Sequence, residues 1–259
     1  MDLGIKGRRA LVCASSQGLG LACAMALARE GCEVTINGRD GEKLARAQAS
    51  IVQVTGVTVS AVVADITSDE GRSALLAACP QQDILVNNNA GPPPGELKDW
   101  DHAAWLDAIE SNMLAPILLI RGVLPGMRER KFGRVVNITS AMVKSPRPQM
   151  GLSTAARTGL TAFSKAMALD VAADNVTINN LLPERIDTPR QQFMAERLMK
   201  LHNIDLAEAR KRITNTVAAK RFGRPEEFGD ACAFLCSAQA GFISGQLLQL
   251  DGGSYPGLV

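Results

Sequence analysis

Cys13-Ala14-Ser15-Ser16-Gln17-Gly18-Leu19-Gly20 closes an apolar run, Arg9–Cys13, and opens a helix-period segment, Leu19–Glu30. A glycine-rich turn between a strand and a helix lets backbone N–H groups approach an anion, and the helix N-terminus favours negative charge. Ser15, Ser16, Gln17, Gly18, Leu19 and Gly20 are the candidate residues of this turn. By itself the pattern is weak, since a glycine pair at such a junction also serves close packing. Its weight comes from the rest of the chain.

Further β-rich runs are Glu33–Asn37, Thr58–Ala64, Ile84–Asn87, Gly133–Thr139, Thr177–Leu181 and Leu247–Leu250. Helix-period segments fall between them, including Gly41–Val52, Ser68–Ala78 and Ala103–Glu129. This alternation predicts one α/β domain over residues 1–259, a seven-stranded parallel doubly wound sheet with helices on both faces. Uninterrupted apolar strands such as Ile84-Leu85-Val86 suit a sheet covered on both sides. Residues 184–224 lack a strand pattern and are expected to form a substrate loop or lid within the domain. The stiff run Gly91-Pro92-Pro93-Pro94-Gly95 comes directly after the fourth strand, on the ligand-binding side of an open α/β sheet.

The net charge of +2 leaves no basic footprint for nucleic acid. No apolar stretch reads as a membrane span, and no signal-peptide core precedes the first strand. The six cysteines sit mostly among apolar neighbours without a CxxC pair, which suits reduced thiols and a cytoplasmic setting. Cys232 and Cys236 lie one helical turn apart with no histidine nearby, so no metal site is expected. His102 and His202 read as solvent-facing helix residues.

Several motifs stand in one order along nearly the whole chain. They are the glycine turn, Asp65-Ile66 after the third strand, Asn88-Asn89-Ala90-Gly91 after the fourth, and Asn112 in the long helix. Asn137-Ile138-Thr139-Ser140, Leu181-Leu182-Pro183 with Ile186 and Thr188, Phe222-Gly223-Arg224-Pro225 and Asp251-Gly252-Gly253 complete the set. In this order and spacing the chain resembles the short-chain dehydrogenase/reductase family, with 3-oxoacyl-carrier-protein reductase-like proteins the most similar branch. The resemblance implies a Rossmann fold and an NAD(P)-dependent oxidoreductase acting on a small-molecule carbonyl or secondary alcohol. It places Asp65, Ile66, Asn89, Ala90, Gly91, Pro183, Glu184, Ile186 and Thr188 beside the cofactor. It gives Asn112 the holding of a relay water and Ser140 a place in the active centre. It further implies a homotetramer or dimer, paired through Ala103–Glu129 and Ser153–Ala173, which carry more apolar residues than one sheet face needs.

The departures from the family pattern carry as much information. Cys13-Ala14 replaces Thr-Gly, and the methyl of Ala14 is admissible provided its backbone suits an L-residue. Glu184 replaces the glycine after Pro183. No acid is read after the second strand to accept a ribose hydroxyl, whereas Arg39 offers a planar fork to a 2′-phosphate. NADP is therefore expected rather than NAD. Counting forward from Ser140, Ser153 and Arg157 occupy the positions of the family's catalytic tyrosine and lysine. A gapped alignment puts Met150 and Thr154 there instead; in both, the tyrosine is absent.

A serine hydroxyl is far less acidic than a phenol and shorter by a ring, and arginine keeps the cation but relays no proton. Asn112, Ser140, Ser153 and Arg157 are the candidate catalytic residues, and Arg157 also a ribose contact. Three readings stay open. An oxidoreductase would take its proton from Glu184, from a water held by Asn112 and Ser140, or from the substrate. A cofactor-binding pseudoenzyme would have a sensing or scaffolding role. In the third, Ser153 and Arg157 are ordinary helix residues. Gln149, Met150, Leu152 and the proline run are expected to line the substrate pocket. Tyr255, the chain's single tyrosine, is expected to serve terminal packing.

Overall fold

The computed structural model describes residues 1–258. Seven parallel strands form one sheet in the order β3-β2-β1-β4-β5-β6-β7. They are β1 Arg9–Val12, β2 Glu33–Gly38, β3 Val59–Val63, β4 Ile84–Asn87, β5 Gly133–Ile138, β6 Val176–Pro183 and β7 Leu247–Leu250. All seven coincide with the expected runs, with ends shifted by one or two residues. The order reverses direction between β1 and β4, which opens a crevice at the carboxyl ends of those strands.

Strand alternation sorts the core into two layers. Ala10, Val12, Ile84, Val86 and Val136 face α1 (Gly18–Arg29), α2 (Gly41–Thr55) and α9 (Pro225–Cys236). Leu11, Leu85, Val135 and Ile178 face α3 (Asp69–Ala78), α5 (Ala115–Glu129) and α6 (Gly151–Val171). Both faces of the central strands are thus dry, which explains their unbroken apolar sequences. A Cβ at Gly229 would stand 2.5 Å from the Ala22 carbonyl oxygen, so glycine sets how closely α9 crosses α1.

The helix expected over Ala103–Glu129 is not one α-helix. α4 (His102–Ile109) passes through a π-helical turn, Glu110–Leu114, into α5. Pro116 has no N–H for the carbonyl of Asn112, so the regular ladder fails there and the turn widens. By length and mean hydropathy of 1.3 the run His102–Glu129 is apolar enough to cross a membrane, contrary to the sequence reading. Here one side of it packs on the sheet through Leu119, Ile120, Val123 and Met127, while Leu106 and Leu114 are exposed.

Within residues 184–224 lie α7 (Pro189–His202) and α8 (Leu206–Asn215). They pack on each other through Ala195, Ala209 and Ile213 as a satellite of the main core. Arg190 and Arg197 of α7 donate to the carbonyls of Pro92 and Pro94 at 3.0 and 2.9 Å, which ties this segment to the proline run. A single parallel bridge, Ile186 to Gly223, closes its base.

Candidate active site

A cleft of about 770 Å³ runs along the carboxyl ends of the strands from β3 to β6, floored by the glycine turn and roofed by α7. The turn's geometry is set by its residues. Gly18 has φ +60°, a conformation that favours glycine. A Cβ at Gly20 would meet the Ala14 carbonyl oxygen at 2.4 Å and Asn88 Nδ2 at 2.8 Å. Asn88 Nδ2 donates to that same carbonyl at 3.0 Å, bolting the turn to the end of β4. The first turn of α1 has no side-chain cap and no acidic residue, so its unpaired N–H groups remain available to an anion in the cleft.

Ala14 sits at φ +44°. The condition for a methyl here is therefore not met: an L-residue occupies the left-handed region where the family pattern has glycine. The backbone is held there by Asn37, whose Oδ1 accepts from Ala14 N at 3.3 Å, and by Asn88 from the other side.

At the β2–β3 end, Arg39 is largely exposed, its Nη1 3.6 Å from Asp65 Oδ2. Asp65 is held below its usual range chiefly by the Thr67 N–H, with Arg39 contributing. The turn does contain an acid that the sequence reading passed over. Asp40 lines the cleft, but its carboxylate caps α2 by accepting from Lys43 N at 3.0 Å and pairs with Lys43 Nζ at 3.3 Å. That bond to Lys43 N also lowers its pKa.

At the β5–β6 end stand Ser140, Ser153 and Arg157. Ser140 Oγ caps a short turn by accepting from Met142 N at 3.2 Å. Ser153 is buried against the cleft, and its hydroxyl makes no hydrogen bond among the described residues. Arg157 is buried on α6, and its guanidinium is spent on the main chain. Nη1 donates to the carbonyls of Ile138 (2.8 Å) and Thr139 (2.5 Å), and Nη2 to that of Asn89 (3.2 Å). It thus clamps the ends of β4 and β5 to α6, while Nε has no partner. Burial pushes the guanidinium down to about 10, and the like charge of Arg190 adds to the shift.

Beneath this centre, Asn87, Asn137 and Asn180 stand side by side on β4, β5 and β6. Asn87 Nδ2 donates to Asn137 Oδ1 at 2.8 Å, and Asn137 Nδ2 to Ser164 Oγ at 2.9 Å. This polar ladder has no periodic signature, and only strand register assembles it.

Of the residues anticipated for the site, Ser16, Gln17, Gly18, Leu19, Arg39, Asp65, Ile66, Asn89, Ala90, Gly91, Ser140, Ser153, Arg157, Pro183, Glu184, Ile186 and Thr188 line the cleft. Ser15, Gly20 and Asn112 do not. The Ser15 hydroxyl turns back to the Val12 carbonyl at 2.7 Å, and Gly20 supports the turn from behind. Asn112 is buried in the π-helical turn, where it donates to Ser111 Oγ at 2.7 Å. Ser111 takes its place at the cleft wall. Of the expected substrate contacts, Gln149, Met150 and Pro94 line the cleft, whereas Leu152 points into the core. Thr154, from the gapped alignment, does not line it either. Tyr255 is also outside the lining; Lys144 Nζ lies 5.5 Å from its ring centre. The cleft therefore contains no phenol.

Sequence reasoning missed Arg147, Arg185 and Arg190, which line the same end of the cleft. Glu184 Oε1 lies 3.0 Å from Arg185 Nε and 3.5 Å from Arg147 Nη2. As an ion-pair acceptor it is not set up to give a proton to a substrate. The Arg185 Nε–H is close but misaligned, and makes no hydrogen bond.

The sequence profile of the family described as Enoyl-(Acyl carrier protein) reductase matches residues 13–255. The chain is 33% identical over 258 residues to an uncharacterized oxidoreductase, YvaG, of Bacillus subtilis, covering 98% of each chain. It is 33% identical over 250 residues to dehydrogenase/reductase SDR family member 4 of Bos taurus, covering 95% of this chain and 86% of that one. The crystal structure of L-sorbose reductase from Gluconobacter frateurii, complexed with NADPH and L-sorbose, superposes with a TM-score of 0.95 at 31% identity over the full length of both chains. With the strand order, the glycine turn and the cleft at the switch point, these similarities make the chain a member of the short-chain dehydrogenase/reductase family.

Proposed function

We propose that this chain is an NADP(H)-dependent oxidoreductase that interconverts a small carbonyl compound and a secondary alcohol, 3-oxoacyl compounds among the candidates, through a centre without a phenolic acid. The observation that carries the reading is one continuous cleft with an anion-binding turn and Arg39 toward one end and Ser140, Ser153 and Arg157 at the other. The residues suit the cofactor. The uncapped first turn of α1 would hold the pyrophosphate, and Arg39 with Lys43 would face the 2′-phosphate. Asp65, Ile66, Asn89, Ala90 and Gly91 would border the adenosine half, and Pro183, Ile186 and Thr188 the nicotinamide half. When bound, the cofactor supplies or accepts the hydride.

The chain's own part is to hold and neutralise the substrate oxygen. Ser140 and the unpaired Ser153 hydroxyl donate hydrogen bonds to it. Arg157, with its donors committed to carbonyls, acts through its charge on the developing alkoxide. The proton comes from water, because neither serine is acidic enough to serve as general acid. Residues 184–224 act as the lid, anchored through Arg190 and Arg197 to the proline run.

A second reading, a cofactor-binding pseudoenzyme, is favoured by one observation, the immobilised Arg157 in a centre lacking tyrosine. Calorimetry with NADPH and NADH, then NADPH consumption over a panel of ketones and 3-oxoacyl thioesters, tests both. NADPH binding with turnover supports the first reading, and tight binding without turnover on any carbonyl supports the second. No binding of either nucleotide defeats both. The exposed leucines Leu106 on α4, Leu114 in the π-helical turn and Leu169 on α6 support a homotetramer or dimer, which light scattering at micromolar concentration would reveal. Six buried free thiols support a cytoplasmic setting.

A further inference from the structure

The two ends of the cleft differ in charge. Near β2 and β3 the lining groups cancel: Arg39 and Lys43 against Asp40 and Asp65. Near β5 and β6, Arg147, Arg157, Arg185 and Arg190 face one carboxylate, Glu184. Four cations against one anion leave an excess of three positive charges where the substrate would bind. Converging like charges in a partly desolvated cleft cost free energy unless something offsets them.

Much of the donor capacity there is also unspent. Among the described residues the Arg147 guanidinium makes no hydrogen bond and has only its 3.5 Å pairing with Glu184. Arg185 is mostly buried, adopts φ +56°, and its Nε lies 3.0 Å from Glu184 Oε1 without making a hydrogen bond. Arg157 is buried with Nε unpaired. Arg190 spends one donor on Pro92. Arg147 and Arg185 come from different strand ends, after β5 and after β6, and meet only at Glu184. Glu184 thus sets the positions of two guanidinium forks whose remaining N–H groups are free for a second anion.

We propose that the substrate is itself an anion, a carbonyl compound or alcohol carrying a carboxylate or phosphate, whose charged group is received by Arg147 and Arg185 on either side of Glu184. This rests on the oxidoreductase reading for the reacting group, but not for the anion site. A fixed charge at the β5–β6 end would orient a short substrate in a centre that lacks a tyrosine to do so.

The test uses the NADPH-loaded protein and two matched probe pairs, 4-oxopentanoate with its methyl ester, and dihydroxyacetone phosphate with dihydroxyacetone. Calorimetry measures binding, and loss of NADPH absorbance measures turnover. The charged member of at least one pair is expected to bind roughly tenfold or more tightly than its neutral partner, the scale of one charge-assisted hydrogen bond. Which pair shows the preference tells carboxylate from phosphate. Arg147→Gln and Arg185→Gln should each erase most of the preference and leave NADPH affinity unchanged, while Arg147→Lys should keep part of it. Arg147 is half-exposed, so its substitution tests the idea even if Arg185→Gln does not fold.

Equal affinity within both pairs, no saturable binding of either anion, or a preference that survives Arg147→Gln would overturn the proposal. So would a loss confined to NADPH affinity, which would assign these arginines to the cofactor. Equal turnover of charged and neutral ketones would defeat the anion site and keep the oxidoreductase. Selective anion binding without NADPH consumption would do the reverse.

Discussion

Replacing Ser153 by Tyr and Arg157 by Lys together installs a phenol and an ammonium beside Ser140, and the structure sets both the gain and the cost. The cost lies in the Arg157 clamp. Its guanidinium spans three carbonyls, at Ile138, Thr139 and Asn89, from two nitrogens. A lysine has three donors on one atom and cannot reach the same spread, so at least one charge-assisted bond is lost. That costs about 1.5–3 kcal/mol. At roughly 2–4 °C per kcal/mol for a domain of this size, the melting temperature should fall by about 3–12 °C. The gain is general acid catalysis, typically about 10²–10⁴-fold. The ring has to fit beside Gly91, where a Cβ would lie 3.8 Å from Ser153 Oγ and 3.3 Å from Arg157 Nη2. The assay is NADPH consumption with a simple ketone and a 3-oxoacyl thioester, beside a melting curve and NADPH calorimetry. Arg157→Lys alone should show the loss of stability without the gain. The reasoning is refuted by a well-folded double variant that binds NADPH and gains nothing, alongside a wild type that already reduces such ketones rapidly.

Arg39→Ala should weaken NADPH by about 1–3 kcal/mol, the scale of a charge-assisted contact, and leave NADH nearly unchanged; equal loss of both in calorimetry would remove Arg39 from the 2′-phosphate. Ala14→Gly should raise the melting temperature by about 1–4 °C, because relief of a left-handed L-residue outweighs the added freedom of the unfolded chain by roughly 0.5–1 kcal/mol. A lower melting temperature would show that φ +44° carries no strain. Burial pushes the thiols of Cys13 and Cys32 up to about 12 and raises that of Cys79, while hydrogen bonds to a neighbouring thiol (Cys23 for Cys232, Cys232 for Cys236) and then burial raise those of Cys232 and Cys236. A raised pKa leaves little thiolate below it, so iodoacetamide at pH near 8 should label these five only after unfolding. Mass spectrometry showing rapid native labelling would contradict this.

The strands, helices and single domain were legible because each depends on local period: continuous apolar runs for strands dry on both faces, and 3.6-residue spacing for the helices that cover them. The glycine turn was legible because Gly18 and Gly20 answer to short-range sterics. Even the missing tyrosine could be read, since it depends only on spacing from Ser140. Other features depend on groups far apart in the chain, whose meeting no local pattern records. The sequence showed Ala14 in place of glycine, but only Asn37 and Asn88, reaching in from β2 and β4, hold it left-handed. It showed Asp40 beside Arg39, but only the start of α2 decides that the carboxylate is a cap. It showed an arginine at the lysine position, but only the converging ends of β4 and β5 spend its donors on backbone carbonyls. Arg147, Arg185 and Arg190 look like scattered surface charges in the chain. Folding brings them to one end of the cleft around Glu184, because strand order rather than sequence distance sets which loops meet, and Coulomb interactions depend on distance in space.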